Sequence, residues 1–95
     1  MDIIRKQDGN EVVLEIVGWM DTQAAPKLEE EVNKLEAGES LVLDLSQMEY
    51  ISSSGLRQFV AAHKKVKGNM VLRNVADNVK GLLKTTGLDK RITIE

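Results

Sequence analysis

Three consecutive hydroxyls, Ser52, Ser53 and Ser54, stand directly before a glycine in the stretch Ile51-Ser52-Ser53-Ser54-Gly55-Leu56-Arg57. Upstream, Leu41-Val42-Leu43-Asp44-Leu45 has the length and branching of a buried strand. Downstream, Leu56, Phe59, Val60 and Val66 recur at helical spacing. The serines therefore form a loop that feeds a helix N-terminus. The first N–H groups of a helix have no intrahelical acceptor and carry the positive end of its dipole, so a hydroxyl or a phosphate is favourable there. Two kinds of chemistry fit: a serine that caps the helix, worth about 1 kcal/mol, or a serine that carries phosphate. One cap needs one serine. The surplus hydroxyls point to the second use, as does Gly55, whose missing Cβ would let a partner's backbone or a phosphoryl donor approach.

Other chemistries find less support. A serine at a strand-to-helix turn is also the setting of a hydrolase nucleophile, but the single histidine, His63, lies nine residues beyond Ser54 on the same predicted helix. At 1.5 Å per residue that is roughly 13 Å, out of hydrogen-bond reach, and Asp21 and Asp44 are paired with no second catalytic group. With one histidine and no cysteine, neither a metal centre nor a disulfide is expected. One glycine with no following lysine makes no P-loop, so no cofactor is expected.

The charge of −2 is spread among interspersed signs. Lys64, Lys65 and Lys67 read as a solvated helix end, so no nucleic-acid partner is expected. No apolar run approaches the roughly 20 residues of a membrane span, and Met1-Asp2 opens no secretory signal. Together with the absence of cysteine, this gives the expectation of a cytoplasmic protein.

Around the serine loop, 95 residues suffice for one domain with one core. Aromatic residues are only 3%, so aliphatic side chains must build that core. Ile3-Ile4, the turn Asp8-Gly9-Asn10 and Val12 to Gly18 predict a β-hairpin. Gly18 to Thr22 closes the second strand, and Asp21 or Thr22 caps a helix running to about Leu35, with Pro26 in its first turn and Ala25, Leu28, Val32 and Leu35 as its buried stripe. Ala37 to Ser40 breaks that helix before the strand Leu41 to Leu45, and Ser46 to Tyr50 crosses toward the serines. The second helix covers about Ser54 to Val66, and Gly68-Asn69 ends it. Met70 to Arg73 is a strand, Val75, Val79, Leu82 and Leu83 mark a third helix stopped at Thr86-Gly87, and Ile92 to Ile94 supplies a last strand. A hairpin followed by alternating helices and strands predicts an α/β domain with a mainly parallel central sheet flanked by helices. Sites in such sheets gather at the carboxyl ends of the strands, which would bring Asp21 toward the serine loop.

The strand Leu41 to Ser46 with Tyr50 to Leu56 resembles the signature of the STAS domain, as found in bacterial anti-sigma factor antagonists. Gly18-Trp19-Met20-Asp21, Arg73-Asn74-Val75, and Leu82-Leu83 with Gly87-Leu88 extend the resemblance over nearly the whole chain. The family's motif is usually Asp-Ser-Ser-Gly-Leu with its second serine as phosphoacceptor. Counted back from Gly55, that position is Ser54, preceded by Ser53, while Ser52 stands where the family has its aspartate. Asp21 matches the aspartate near the phosphosite, and Trp19, where the family often has a polar residue, is either tucked against the helix or exposed as a partner contact. The resemblance implies a partner switch. The unphosphorylated antagonist binds an anti-sigma factor that is also a serine kinase, phosphorylation of Ser54 ends the association, and a serine phosphatase resets it. Ser52, Ser53, Gly55 and Asp21 would support the phosphosite, and Trp19, Met20, Tyr50, Leu56 and Arg57 would meet the partner. STAS domains also serve as constitutive modules of transporters and signalling complexes, without phosphoregulation, which is the alternative expectation here.

Overall fold

Alternating apolar residues set the first layer. Val12, Leu14 and Ile16 are fully buried while the residues between them are half-exposed, the period of a strand with one face in a core. The computed structural model describes residues 1–95. Its elements in order are β1 (Asp2–Asp8), β2 (Glu11–Met20), α1 (Ala25–Asn33), β3 (Ser40–Ile51), α2 (Ser53–Lys65), β4 (Met70–Arg73), α3 (Asp77–Thr86), a short 3-10 turn at Leu88–Lys90, and β5 (Thr93–Ile94).

The five strands lie in sequence order across one sheet, β1-β2-β3-β4-β5, with β1 antiparallel to β2 and every other pair parallel. Each parallel pair is joined through a helix. Three crossovers of one hand advancing in one direction put all three helices on the same face, so the sheet is flanked on one side and open on the other. The core lies between sheet and helices as a single cluster of 22 buried residues, with Leu14, Leu43 and Leu72 from the strands and Leu28, Phe59 and Leu83 from the helices. Val42 is buried yet outside that cluster. It sits on the open face, in register between Val13 and Val71.

The open face carries a linked set of charges. Arg73 pairs with Glu95 at 3.0 Å and with Glu11 at 3.5 Å. The hydrogen bond and charge of Glu95 hold its guanidinium above the ordinary value, aided by Glu11 and Asp44. Beside it, Asp44 Oδ1 accepts from the Ser46 N–H at 3.0 Å and the Asn74 amide at 3.2 Å. Burial alone would raise the Asp44 pKa, but these hydrogen bonds and the Arg73 charge outweigh it and the net shift is downward. Asn74 makes its contact from a left-handed backbone, φ 58°.

Several boundaries differ from expectation. Strand β3 runs to Ile51, so Ser46 to Tyr50 is strand and not a crossing, and β2 reaches Met20. The register of β2 against β3 shifts twice, between Glu15 and Val17 and between Gly18 and Trp19. Each shift places an extra residue in β3, so its inward side chains change from alternation at Leu41, Leu43 and Leu45 to steps of three at Met48 and Ile51. Helix α1 ends at Asn33, and Leu35 packs on the core from beyond it. Leu82 is exposed, off the stripe formed by Val79 and Leu83.

Candidate functional site

Strands β2 and β3 end side by side, with Met20 in register with Ile51, and the segments that leave them meet. The Ser52 N–H donates to the Met20 carbonyl at 2.9 Å. Ser52 is also the N-cap of α2: its backbone is extended (φ −88°, ψ 171°) and its Oγ accepts from the Gly55 N–H at 3.1 Å. The same hydroxyl donates to the Met20 carbonyl at 3.3 Å. A hydroxyl can give and receive at once, whereas an ionised aspartate can only accept. Ser52 thus caps the helix and ties the two strand ends together through one side chain.

Because Ser52 caps, helix α2 begins at Ser53, and the other two serines are released from that task. Ser53 is exposed in the first turn. The Ser54 Oγ lies 3.1 Å from the Thr22 hydroxyl and 3.2 Å from Arg57 Nη2. Thr22 belongs to the β2–α1 connection, so the phosphoacceptor candidate links that loop to one turn of its own helix. Asp21 does not make this bridge. Its carboxylate accepts from the Gln23 N–H at 3.1 Å and the Ala24 N–H at 3.0 Å, and its carbonyl accepts from Ala24 and Ala25. Asp21 shapes the turn that carries Thr22, and Thr22 makes the contact. Sequence reasoning gave Thr22 only a capping role; its place one residue after the strand end, opposite a hydroxyl loop, was the available signal.

Gly55 is buried, and its missing Cβ does not open the surface to a partner. A Cβ there would stand 2.7 Å from the Met20 carbonyl oxygen, 2.8 Å from Ile51 Cγ1 and 2.9 Å from Met20 Cγ. The glycine is required because the helix start packs directly on the ends of β2 and β3.

The residues expected at a partner surface divide in two. Met20 and Leu56 are 0% and 8% exposed and belong to the core, because each sits at an inward position of its strand or helix; their side chains are not available to a partner. Trp19 and Tyr50 are exposed, at 57% and 46%. They are register partners on β2 and β3, and their rings meet at 5.0 Å with a 43° tilt. Trp19, Asp21, Gln23, Ala24, Lys27 and Met1 line a cleft of about 300 Å³ beside them. Arg57 is exposed one turn into α2. The five ion pairs of the molecule use Arg5, Lys6, Lys34 and Arg73 as cations, so Arg57 has no carboxylate partner.

Groups suited to catalysis do not converge here. His63 stands in the last turn of α2, its ring near Gly68 and its carbonyl accepting the Gly68 N–H at 2.9 Å. The largest cleft, about 330 Å³, also lies at that far end, between Val32 to Glu39 and Lys65 to Asn69. No three His, Asp or Glu side chains cluster as metal ligands would, and no helix is long and apolar enough to cross a membrane.

Comparison with known proteins agrees with this geometry. The STAS domain family model matches residues 2–95. The anti-sigma-B factor antagonist of Bacillus subtilis is 36% identical over 93 residues, covering 94% of this chain and 85% of that protein. An anti-sigma factor antagonist from Mycobacterium paratuberculosis superposes with a TM-score of 0.85 at 25% identity, over 98% of this chain and 83% of that one. The Bacillus cell fate determinant SpoIIAA in its phosphorylated form shares the fold, with a TM-score of 0.75 at 13% identity over 99% of this chain and 91% of that one. With a family match over nearly its full length and a relative above 30% identity, the chain belongs to the STAS domain family.

Proposed function

We propose that this chain is an anti-sigma factor antagonist that works by binding, without catalysis of its own. In its unphosphorylated form it docks on an anti-sigma factor that is also a serine kinase, and so frees a sigma factor. Transfer of the γ-phosphoryl group of ATP to Ser54 Oγ, with ADP leaving and the hydroxyl proton passing to the kinase, ends the association; a serine phosphatase restores it. Such a cycle belongs in the cytoplasm, where sigma factors act.

One observation carries this most directly. Ser52 caps the helix, which leaves Ser54 free of that task, and its hydroxyl is held between two outside partners, Thr22 of the neighbouring loop and Arg57, contacts that Ser53 lacks. A phosphate there brings roughly −1.5 to −2 charges to a face that must pack against another protein, while the helix start can tolerate it. The exposed Trp19–Tyr50 pair and Arg57 supply the aromatic and cationic anchors typical of binding surfaces. Ser53, beside the acceptor, and the Ser52, Gly55 and Asp21 scaffold hold the loop in shape.

The test is intact-mass analysis after incubation with ATP and candidate anti-sigma kinases from the same genome, wild type beside Ser54→Ala. A single phosphate lost in the variant is the expected result. Binding to an anti-sigma factor with no phosphate transfer would instead establish a constitutive STAS module, the reading that a neutral Ser52 in place of the family aspartate would favour.

A further inference from the structure

Arg57 is a cation without an anion. It stands three residues after Ser54 on the same face of α2, its Nη2 3.2 Å from Ser54 Oγ. It takes part in none of the molecule's ion pairs, and that hydroxyl is its one side-chain partner. No acidic residue occurs from Ile51 to Arg57, so nothing in the segment competes for the guanidinium. A neutral hydroxyl is a weak partner for a group with five donors in a planar fork, whose shape matches carboxylate and phosphate oxygens. The Thr22 hydroxyl donates to the same oxygen at 3.1 Å from a separate loop.

From this arrangement we propose that Arg57, assisted by Thr22, is the intramolecular receiver of a phosphate on Ser54. This rests on Ser54 being the modified residue. The phosphorus would replace the hydroxyl proton, one bond beyond Oγ, and its three outer oxygens, a further bond out, would come within reach of the guanidinium and the Thr22 hydroxyl by rotation about the Cβ–Oγ bond. The neutral contact then becomes a charge-assisted one, able to form two parallel hydrogen bonds. Two consequences follow for the switch. Part of the added charge is compensated within the domain, so the fold persists in the modified state. And the cation that an unmodified surface offers to a partner is drawn onto the phosphate, so one event alters both groups. Asp21, on the neighbouring loop, makes no hydrogen bond or ion pair with Ser54 or Arg57; its carboxylate accepts from the Gln23 and Ala24 N–H groups instead.

The test installs phosphoserine at position 54 of the full chain during translation, so that it needs no kinase. Phosphorus NMR then follows the second ionisation of the phosphate, ordinarily near pKa 6, in otherwise wild-type protein, Arg57→Ala, Arg57→Lys and Thr22→Val, with circular dichroism to establish that each is folded. The receiver predicts a midpoint lowered by about half a unit or more with Arg57 present. The midpoint should rise toward the ordinary value in Arg57→Ala, the helix start and Thr22 still acting, and be lowered again in part by Arg57→Lys. Identical titration in wild type and Arg57→Ala overturns the proposal. The two readings fail separately: an Arg57-dependent shift with no kinase able to modify Ser54 would leave the receiver standing and sink the kinase cycle. Phosphate transfer to Ser54 with an Arg57-independent titration would do the reverse.

Discussion

Thr22 Oγ1 and Ser54 Oγ lie 3.1 Å apart although 32 residues separate them. The contact exists because β2 and β3 are parallel neighbours that end in register, Met20 opposite Ile51, and because the Met20 carbonyl takes both the backbone N–H and the hydroxyl of Ser52. Two turns that are remote in sequence become one surface, and the division of labour among the three serines follows from it.

That division is measurable by urea unfolding. Ser52→Ala removes the acceptor for the Gly55 N–H and the donor to Met20, and should cost about 1 kcal/mol or somewhat more. Ser54→Ala removes only surface contacts and should stay within about 0.5 kcal/mol of wild type. If the two losses were reversed, Ser54 would be the structural serine and Ser52 the free one.

Gly55→Ala places a methyl within 3.0 Å of the Met20 carbonyl oxygen, Met20 Cγ and Ile51 Cγ1. Two of these neighbours are core side chains and one is backbone, so relief requires α2 to move off the strand ends. A loss of about 1–3 kcal/mol is expected, read as a lower urea midpoint at an unchanged slope. A neutral outcome would mean that the glycine serves the surface after all.

Much of this architecture was legible in the residues. The hairpin turn, the order of helices and strands and the parallel sheet followed from period and punctuation, as at Val12 to Ile16 and Met70 to Arg73. The far half of β3 did not, because two bulges break the alternation on which strand recognition depends: Leu45, Met48 and Ile51 face inward at intervals of three. The serine loop was placed correctly, but its capping residue and the reason for Gly55 depend on how closely a helix start approaches two strand ends, a distance that local sequence does not encode. Met20 and Leu56 show the same limit. Adjacency to a motif suggested surface, whereas inward position at a strand end and in the first helical turn made them core.

Trp19 and Tyr50 supply the next prediction. Both rings are exposed and lean on each other across β2 and β3, so Trp19→Ala should change folding stability by no more than about 1 kcal/mol. If the pair anchors the anti-sigma partner, the same variant should lose roughly 2 kcal/mol of binding, about thirtyfold in Kd, by calorimetry. Met20→Ala is the contrasting control: one position away but fully buried, it should lose about 2–5 kcal/mol of stability. Trp19 is the only tryptophan, so its fluorescence also reports docking without a label.

Asp44 is held below its ordinary value of 3.8 because the Ser46 N–H, the Asn74 amide and Arg73 favour its charged form more than burial disfavours it. A carboxylate whose folded pKa is depressed stabilises the fold fully above its unfolded pKa, and that contribution disappears as pH falls through the folded value. Asp44→Asn should therefore be less stable than wild type at pH 7, and the gap should narrow as pH falls below about 4 and close once wild-type Asp44 is protonated in both states. Asn74→Ala should act in the same direction: losing one donor raises the folded pKa toward the unfolded one, so the contribution is smaller at pH 7 and is gone at a higher pH. Urea midpoints at pH 7, 5, 4 and 3 would measure both. A gap that stayed constant across this range would mean that shape at position 44, rather than charge, supports the turn between β4 and α3.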